Sequence, residues 1–200
     1  MKLGIILNGP PGCGKDTLAN LLVSSFTMTK FQKRQFKDAL YEHTARHFGV
    51  DLEKFIHYAS DRELKDSKSL AGLGGRTPRQ ALIHVSEEIY KPRFGSDYFG
   101  KVEADGLRQL SGRLGGSFAV VYPDGGFADE VVATEPEFDL LVYVRLHRVG
   151  FNFEGDSRSY VRLPDTKILH SYDVDLVDGE PHLGLNKIVE ILDKEFPNVL

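Results

Sequence analysis

Short, almost wholly apolar runs that alternate with stretches of helical period predict an α/β protein whose central, mainly parallel sheet is flanked by helices. The opening segment carries most of that inference. Residues 2–8, with Leu3, Ile5, Ile6 and Leu7, are apolar on both faces, as a strand buried within a parallel sheet must be. A glycine-rich turn leads straight into Leu18, Leu21, Leu22 and Phe26, spaced by three and four as on one buried helical stripe. Strand, turn and helix in that order form the first half of a right-handed βαβ crossover.

The remaining elements follow in chain order. A helix is expected over 15–26 and a second short strand over 33–36. Asp38 reads as the N-cap of a helix carrying Leu40, Thr44, His47 and Phe48 and stopping at Gly49. From 50 to 75 the pattern weakens, and 70–75, with three glycines, reads as a flexible connector. Thr77-Pro78, a cap followed by proline at the first helical position, opens a helix with Leu82, Val85 and Ile89 inward. Another starts near Ser96-Asp97 with Phe99, Val102 and Leu110. Residues 117–122 and 138–144 read as two further buried strands with a short helix between them. Arginines, glycines and aromatics interleave over 145–162 without a clean period, which suits a surface loop or lid. A last strand over 173–177 turns at Asp178-Gly179 into a helix with Leu185, Ile188, Val189, Leu192 and Phe196 inward.

Composition narrows the function. At 200 residues, 41% hydrophobic and 27% charged, the chain is long and apolar enough for one folded domain over 1–200, and composition disfavours disorder and low complexity. A net charge of -4 argues against a coat of positive charge for nucleic acid. The single cysteine, Cys13, excludes an internal disulfide and a four-thiolate zinc site, and a reducing, cytoplasmic setting fits. No apolar run approaches the ~20 residues of a membrane span, and no signal peptide opens the chain.

The strongest chemical signal is Gly9-Pro10-Pro11-Gly12-Cys13-Gly14-Lys15-Asp16-Thr17, with the spacing of a phosphate-binding P-loop between a strand and a helix. Glycines at 9, 12 and 14 let backbone N–H groups curl around a polyphosphate, and the helix adds its positive end to the same anion. Lys15 is expected to reach the β- and γ-phosphates, and Thr17 to contact phosphate or metal through its hydroxyl. Asp16 departs from the usual Ser or Thr after the lysine. A carboxylate beside a triphosphate calls for a cation, so Asp16 reads either as a ligand of Mg2+ or its water, or as an acid favoured by the helix dipole. Cys13 reads as a small loop residue.

Elsewhere, Arg76 and Arg79 flank the capped start at Thr77-Pro78, where two guanidinium groups suit a second phosphate or simply a solvated helix start. Arg145, Arg148 and Arg158 gather around the segment after a buried strand, where phosphoryl transfer would need positive charge. Asp124 is either a strand-end acid that organises metal or water or one half of an Asp-Gly turn. His43 and His47 stand four apart without a third ligand, so a mixed helix face is the simpler reading.

Four segments taken together, Gly14-Lys15-Asp16-Thr17, Phe36-Lys37-Asp38-Ala39-Leu40, Val120-Val121-Tyr122-Pro123-Asp124 and Asp178-Gly179, resemble the bacteriophage-type deoxynucleoside monophosphate kinases of the P-loop kinase group. The resemblance runs over nearly the whole chain. It implies a P-loop kinase fold with an acceptor-binding helical region over about 37–113 and a lid over about 145–162. It also implies transfer of the γ-phosphate of ATP, with Mg2+, to a deoxynucleotide, and the host cytoplasm if the chain is phage-encoded. Lys15, Asp16 and Thr17 match the family's loop; Lys37 and Asp38 fall where the family binds the acceptor, Arg76 and Arg79 in its acceptor region, and Arg145 at its lid entrance. One departure stands out: relatives tend to carry an arginine two residues after the strand-end aspartate, where this chain has Gly126, and a lid arginine is the expected replacement.

The expected function is therefore ATP- and Mg2+-dependent phosphorylation of a deoxynucleoside monophosphate, with neither nucleic acid nor membrane as partner and a homodimer possible. The alternatives are another P-loop small-molecule kinase and a regulatory nucleotide switch with slow hydrolysis. Against the switch, the chain has no Asn-Lys-x-Asp run for reading guanine.

Overall fold

The computed structural model describes residues 1–26, 31–156 and 158–197. The chain divides into two compact units, one formed by Met1–Gln35 with Ala104–Leu200 and one by Phe36–Glu103.

The first unit is built on five parallel strands, β1 (Lys2–Asn8), β2 (Phe31–Lys33), β3 (Phe118–Tyr122), β4 (Leu140–Arg148) and β5 (Leu169–Leu176), in the order β2-β3-β1-β4-β5. The apolar run read at the start of the chain is the central strand. Ile5 pairs with Val121 on one side and Val142 on the other, and all three are fully buried. On one face Leu3, Ile5 and Leu7 pack with Leu18 and Leu22 of α1 (Lys15–Ser25) and with Leu185, Ile188 and Leu192 of the last helix (Pro181–Glu195). Alternation sends Ile6, Val120, Tyr122, Leu141 and Tyr143 to the other face, where they too are fully buried. Burial on both faces is what the continuous apolar runs demanded.

Three strands depart from the sequence expectation. β2 covers 31–33, earlier than the expected 33–36, because Phe31 is the buried residue that pairs beside Ala119, whereas Phe36 is buried as the residue that enters a helix. β4 runs on to Arg148, so Arg145 and Arg148 stand on a strand and the irregular segment begins only at 149. β5 starts at Leu169, where Leu141 pairs with it, and not at 173.

The second unit is helical. α2 (Lys37–Phe48) ends at Gly49 as expected, but its N-cap position is Phe36 and Asp38 lies in the first turn, where its charge is favoured by the helix dipole. Two helices in the weakly patterned stretch were not foreseen, α3 (Leu52–Ser60) and α4 (Arg62–Ser67). Both are announced by caps: Asp51 accepts from Lys54 N, and Asp61 from Glu63 N and Leu64 N. The 70–75 segment is anchored as well as glycine-rich, since Leu70 and Leu73 are buried with Tyr41, Phe55 and Leu82 in the unit's own core. At Thr77 both hydrogen bonds of a capping box form, and α5 (Pro78–Ile83) follows. It widens into a π-helical stretch (His84–Tyr90) before α6 (Lys91–Phe94), and Lys91 N reaches back five residues to Ser86 O. Pro92 accounts for the widening: it brings no N–H and its ring crowds the carbonyl one turn back, so the helix opens instead of breaking.

α7 (Tyr98–Leu114) precedes β3, and α8 (Ala128–Thr134) with a 3-10 turn (Glu135–Glu137) is the short helix expected between β3 and β4. α9 (Pro181–Glu195) closes the chain. No helix among the described residues is long and apolar enough to cross a membrane.

Candidate active site

Each glycine of the Gly9–Thr17 loop has an identifiable reason. Gly12 and Gly14 have φ of +77° and +111°, where a side chain would strain the backbone. Gly9 instead is needed for space, because a Cβ there would lie 2.8 Å from Cys13 Sγ and 3.0 Å from the Leu146 carbonyl oxygen. Cys13 N closes the turn on Pro10 O at 3.3 Å. Lys15, 9% exposed, folds back over this turn and donates from Nζ to Gly9 O and Pro10 O, each at 2.6 Å. Burial lowers its pKa from the ordinary lysine value, the neighbouring Cys13 opposes the shift, and the Arg158 guanidinium lowers it further. A polyphosphate in the loop would compensate both charges.

Asp16 stands in the first turn of α1 with its carboxylate exposed, and Lys33 of β2 donates to its Oδ1 at 2.7 Å and to Asn20 Oδ1 at 3.3 Å. Thr17 is exposed beside it. Among the described residues no group of three or more His, Cys, Asp or Glu side chains could hold a metal. One carboxylate and one hydroxyl nonetheless fit Mg2+, which typically takes one or two protein oxygens and completes its shell with phosphate and water.

The three expected arginines take three different postures. Arg145, on β4, is gripped by Asp173 of β5, Nε to Oδ1 at 2.9 Å and Nη2 to Oδ2 at 2.6 Å, and His147 Nε2 meets the same Oδ1 at 2.6 Å. Chiefly through the Arg145 hydrogen bonds, Asp173 is held well below the usual carboxylate range. Arg148 pairs with Asp178, lies over the Phe151 ring at 4.5 Å, and donates from Nη1 to Cys13 O at 3.5 Å. It borders an open cleft with Thr17, Val177, Gly179, Glu180 and Pro181, so the Asp178-Gly179 turn read from sequence forms part of the site's wall. Arg158 is paired with Asp156 and packs on Gly126.

Asp124 closes the turn after β3, and it and Glu130 stand near enough to Arg158 to raise its pKa further, after the Asp156 hydrogen bond. Gly125 and Gly126, which follow, have no positive φ. They serve close packing, Gly125 on Ile6 and Gly126 on Arg158.

On the second unit, Lys37 Nζ lies 5.7 Å over the Tyr41 ring and Asp38 sits in the first turn of α2. Arg76 stacks on Phe48 at 5.8 Å. Arg79 grips Asp66 through Nε and, at 3.1 Å, Nη2. The motif reading missed Asn8, Lys33, Asp156 and the Asp173 cluster. Asn8, a polar residue closing an otherwise apolar strand, was the one visible signal.

Sheet order, central loop and flanking helices make this a P-loop kinase-like fold. An unliganded crystal structure of a sugar kinase from Janibacter sp. HTCC2649 is similar to it, with a TM-score of 0.55 over 98% of this chain and 96% of that one. The identity is 12%, so the likeness is one of fold. No protein-family model and no curated protein sequence matches the chain.

Proposed function

We propose that the chain is a phosphotransferase that moves the γ-phosphate of ATP to a deoxynucleoside monophosphate. The observation that carries this reading is the buried Lys15 folded over a glycine loop with Arg148 and Arg158 brought to the same loop from β4 and the segment after it. ATP phosphates take the loop N–H groups and Lys15, and the donor base takes the cleft between Arg148 and Pro181. Asp16 and Thr17 would hold Mg2+, which would supply positive charge against the phosphates. An oxygen of the acceptor phosphate attacks the γ-phosphorus in line. The bond from that phosphorus to the β,γ-bridging oxygen breaks, and ADP departs with the electron pair. The attacking oxygen is already anionic, so no general base is needed. Lys37, Asp38, Arg76 and Arg79 are the acceptor candidates of the second unit, and Asp124 that of the first.

The fold likeness to a sugar kinase supports a second reading, a small-molecule kinase with a hydroxyl acceptor. That acceptor would need a base, and Asp124 at the end of β3 is the candidate. ADP release from ATP and Mg2+ against dAMP, dGMP, dCMP, dTMP, their ribose counterparts and a panel of sugars, with a no-acceptor control, separates the two. Turnover with a deoxynucleotide is expected. Turnover only with a sugar overturns the first reading, and equal slow release in every tube overturns both.

A further inference from the structure

We propose that Asn8 and Gly126 are positioning residues that seat Arg158 at the phosphate-binding loop, and that Arg158 so seated, and not Arg145, is the guanidinium that meets the transferring phosphoryl group. The identity of that group rests on the kinase reading; the seat itself is geometric.

Asn8 is the last residue of β1, 2% exposed and directly before Gly9. Both ends of its amide hold one stretch of backbone, Nδ2 donating to Ser159 O and Oδ1 accepting from Val161 N, both at 3.2 Å. Tyr160, between them, donates its hydroxyl to Leu146 O at 2.9 Å. The residue that follows Arg158 is thereby tied to the residue that opens the loop. Gly126 then supplies the floor. A Cβ there would lie 2.4 Å from Cδ and 2.8 Å from Cγ of Arg158, so any other residue would push the arginine off. Since Gly126 has no positive φ, space is the property in use at that position.

Asp156 fixes the direction. One carboxylate accepts from Arg158 N at 2.9 Å, from Nε at 2.8 Å and from Nη2 at 2.7 Å, which leaves Nη1 on the opposite side of the guanidinium. Arg145 shows the contrast, because its partner Asp173 draws it toward β5. Arg148 is held beside Cys13 and Gly14, at the cleft. Arg158 stands close enough to Lys15 to lower its pKa. Two cations held close together favour a ligand whose charge concentrates between them, which a phosphoryl group in transfer provides.

The test compares wild type with Arg158→Ala, Gly126→Ala, Asn8→Ala and the double variant Gly126→Ala/Arg158→Ala. Two readouts are taken: kcat and KM for transfer from ATP to the best acceptor, and calorimetric affinity for inorganic tripolyphosphate. Arg158→Ala is expected to lower kcat about a hundredfold and to raise KM for ATP only about tenfold, so that the larger part of the loss falls on the transfer step. Gly126→Ala and Asn8→Ala should lower kcat at least about tenfold, and the double variant should be no worse than Arg158→Ala alone. Multiplying defects, or a near-normal kcat in Arg158→Ala, would overturn the proposal. Should Gly126→Ala or Asn8→Ala lose cooperative unfolding, Asp156→Asn takes its place with the same expectation. A wild type that transfers phosphate to no acceptor sinks the kinase reading alone. Tripolyphosphate then decides the seat: binding about tenfold weaker in each single variant, without further loss in the double, supports it, and unchanged binding overturns it.

Discussion

On the proposed reading, Lys15 is the side chain that meets the phosphates. Its ammonium group is buried, depressed in pKa and satisfied by two carbonyls of its own loop, so a phosphate gains a cation already in place. Lys15→Ala is expected to reduce turnover by at least about a hundredfold with the unfolding midpoint nearly unchanged, measured by ADP release alongside thermal unfolding. The Arg145–Asp173–His147 cluster behaves differently, because it is a folded-state ion pair with a pH signature. Asp173 is depressed from an ordinary value of 3.8, so its contribution to stability is complete above that value and is lost as pH falls through its lower folded value. The carboxylate is half exposed, so Asp173→Asn should cost on the order of 1 kcal/mol or less at neutral pH. Urea titrations of the two proteins should converge below about pH 4; a constant difference through that range would refute the assignment.

At the scale of elements, α3, α4 and α5 each carry a local capping signal, whereas a segment anchored by tertiary burial carries none. Thr77-Pro78 announced α5 because the cap is local chemistry, and the same logic applied to Asp51 and Asp61 would have found α3 and α4. The 70–75 segment is the sharper case. Three glycines suggested mobility, yet Leu73 is fully buried beside Phe55 and Leu82. Leu73→Ala is therefore expected to destabilise by about 2–5 kcal/mol, as a core truncation does, whereas a flexible connector would lose almost nothing. Chemical denaturation checks this. Strand ends were misplaced for a related reason: β4 continues through Arg145 to Arg148 because β5 pairs with it to the end, and hydrophobic pattern cannot register a backbone ladder that carries charged side chains.

For the whole molecule, ligand binding and stability are linked. ATP with Mg2+ at about 100 times its dissociation constant should stabilise the chain by about 2.7 kcal/mol, and Lys15→Ala should lose most of that gain; an equal shift in both proteins would place the nucleotide elsewhere. Contiguous residues are enough for the α/β class, the doubly buried opening strand, the Gly9–Thr17 loop spacing and the closing helix. Each of these is written in contiguous residues, as a period, a cap or a spacing. Packing in three dimensions sets β1 between β3 and β4, brings Asp16 to Lys33, and lays Gly126 beneath Arg158 with Asn8 tied to the chain beyond it. Such pairs are separated by 17 to more than 150 positions in the chain. Their partners are selected by burial and by the need of every buried polar group for a hydrogen bond, which a linear pattern does not encode.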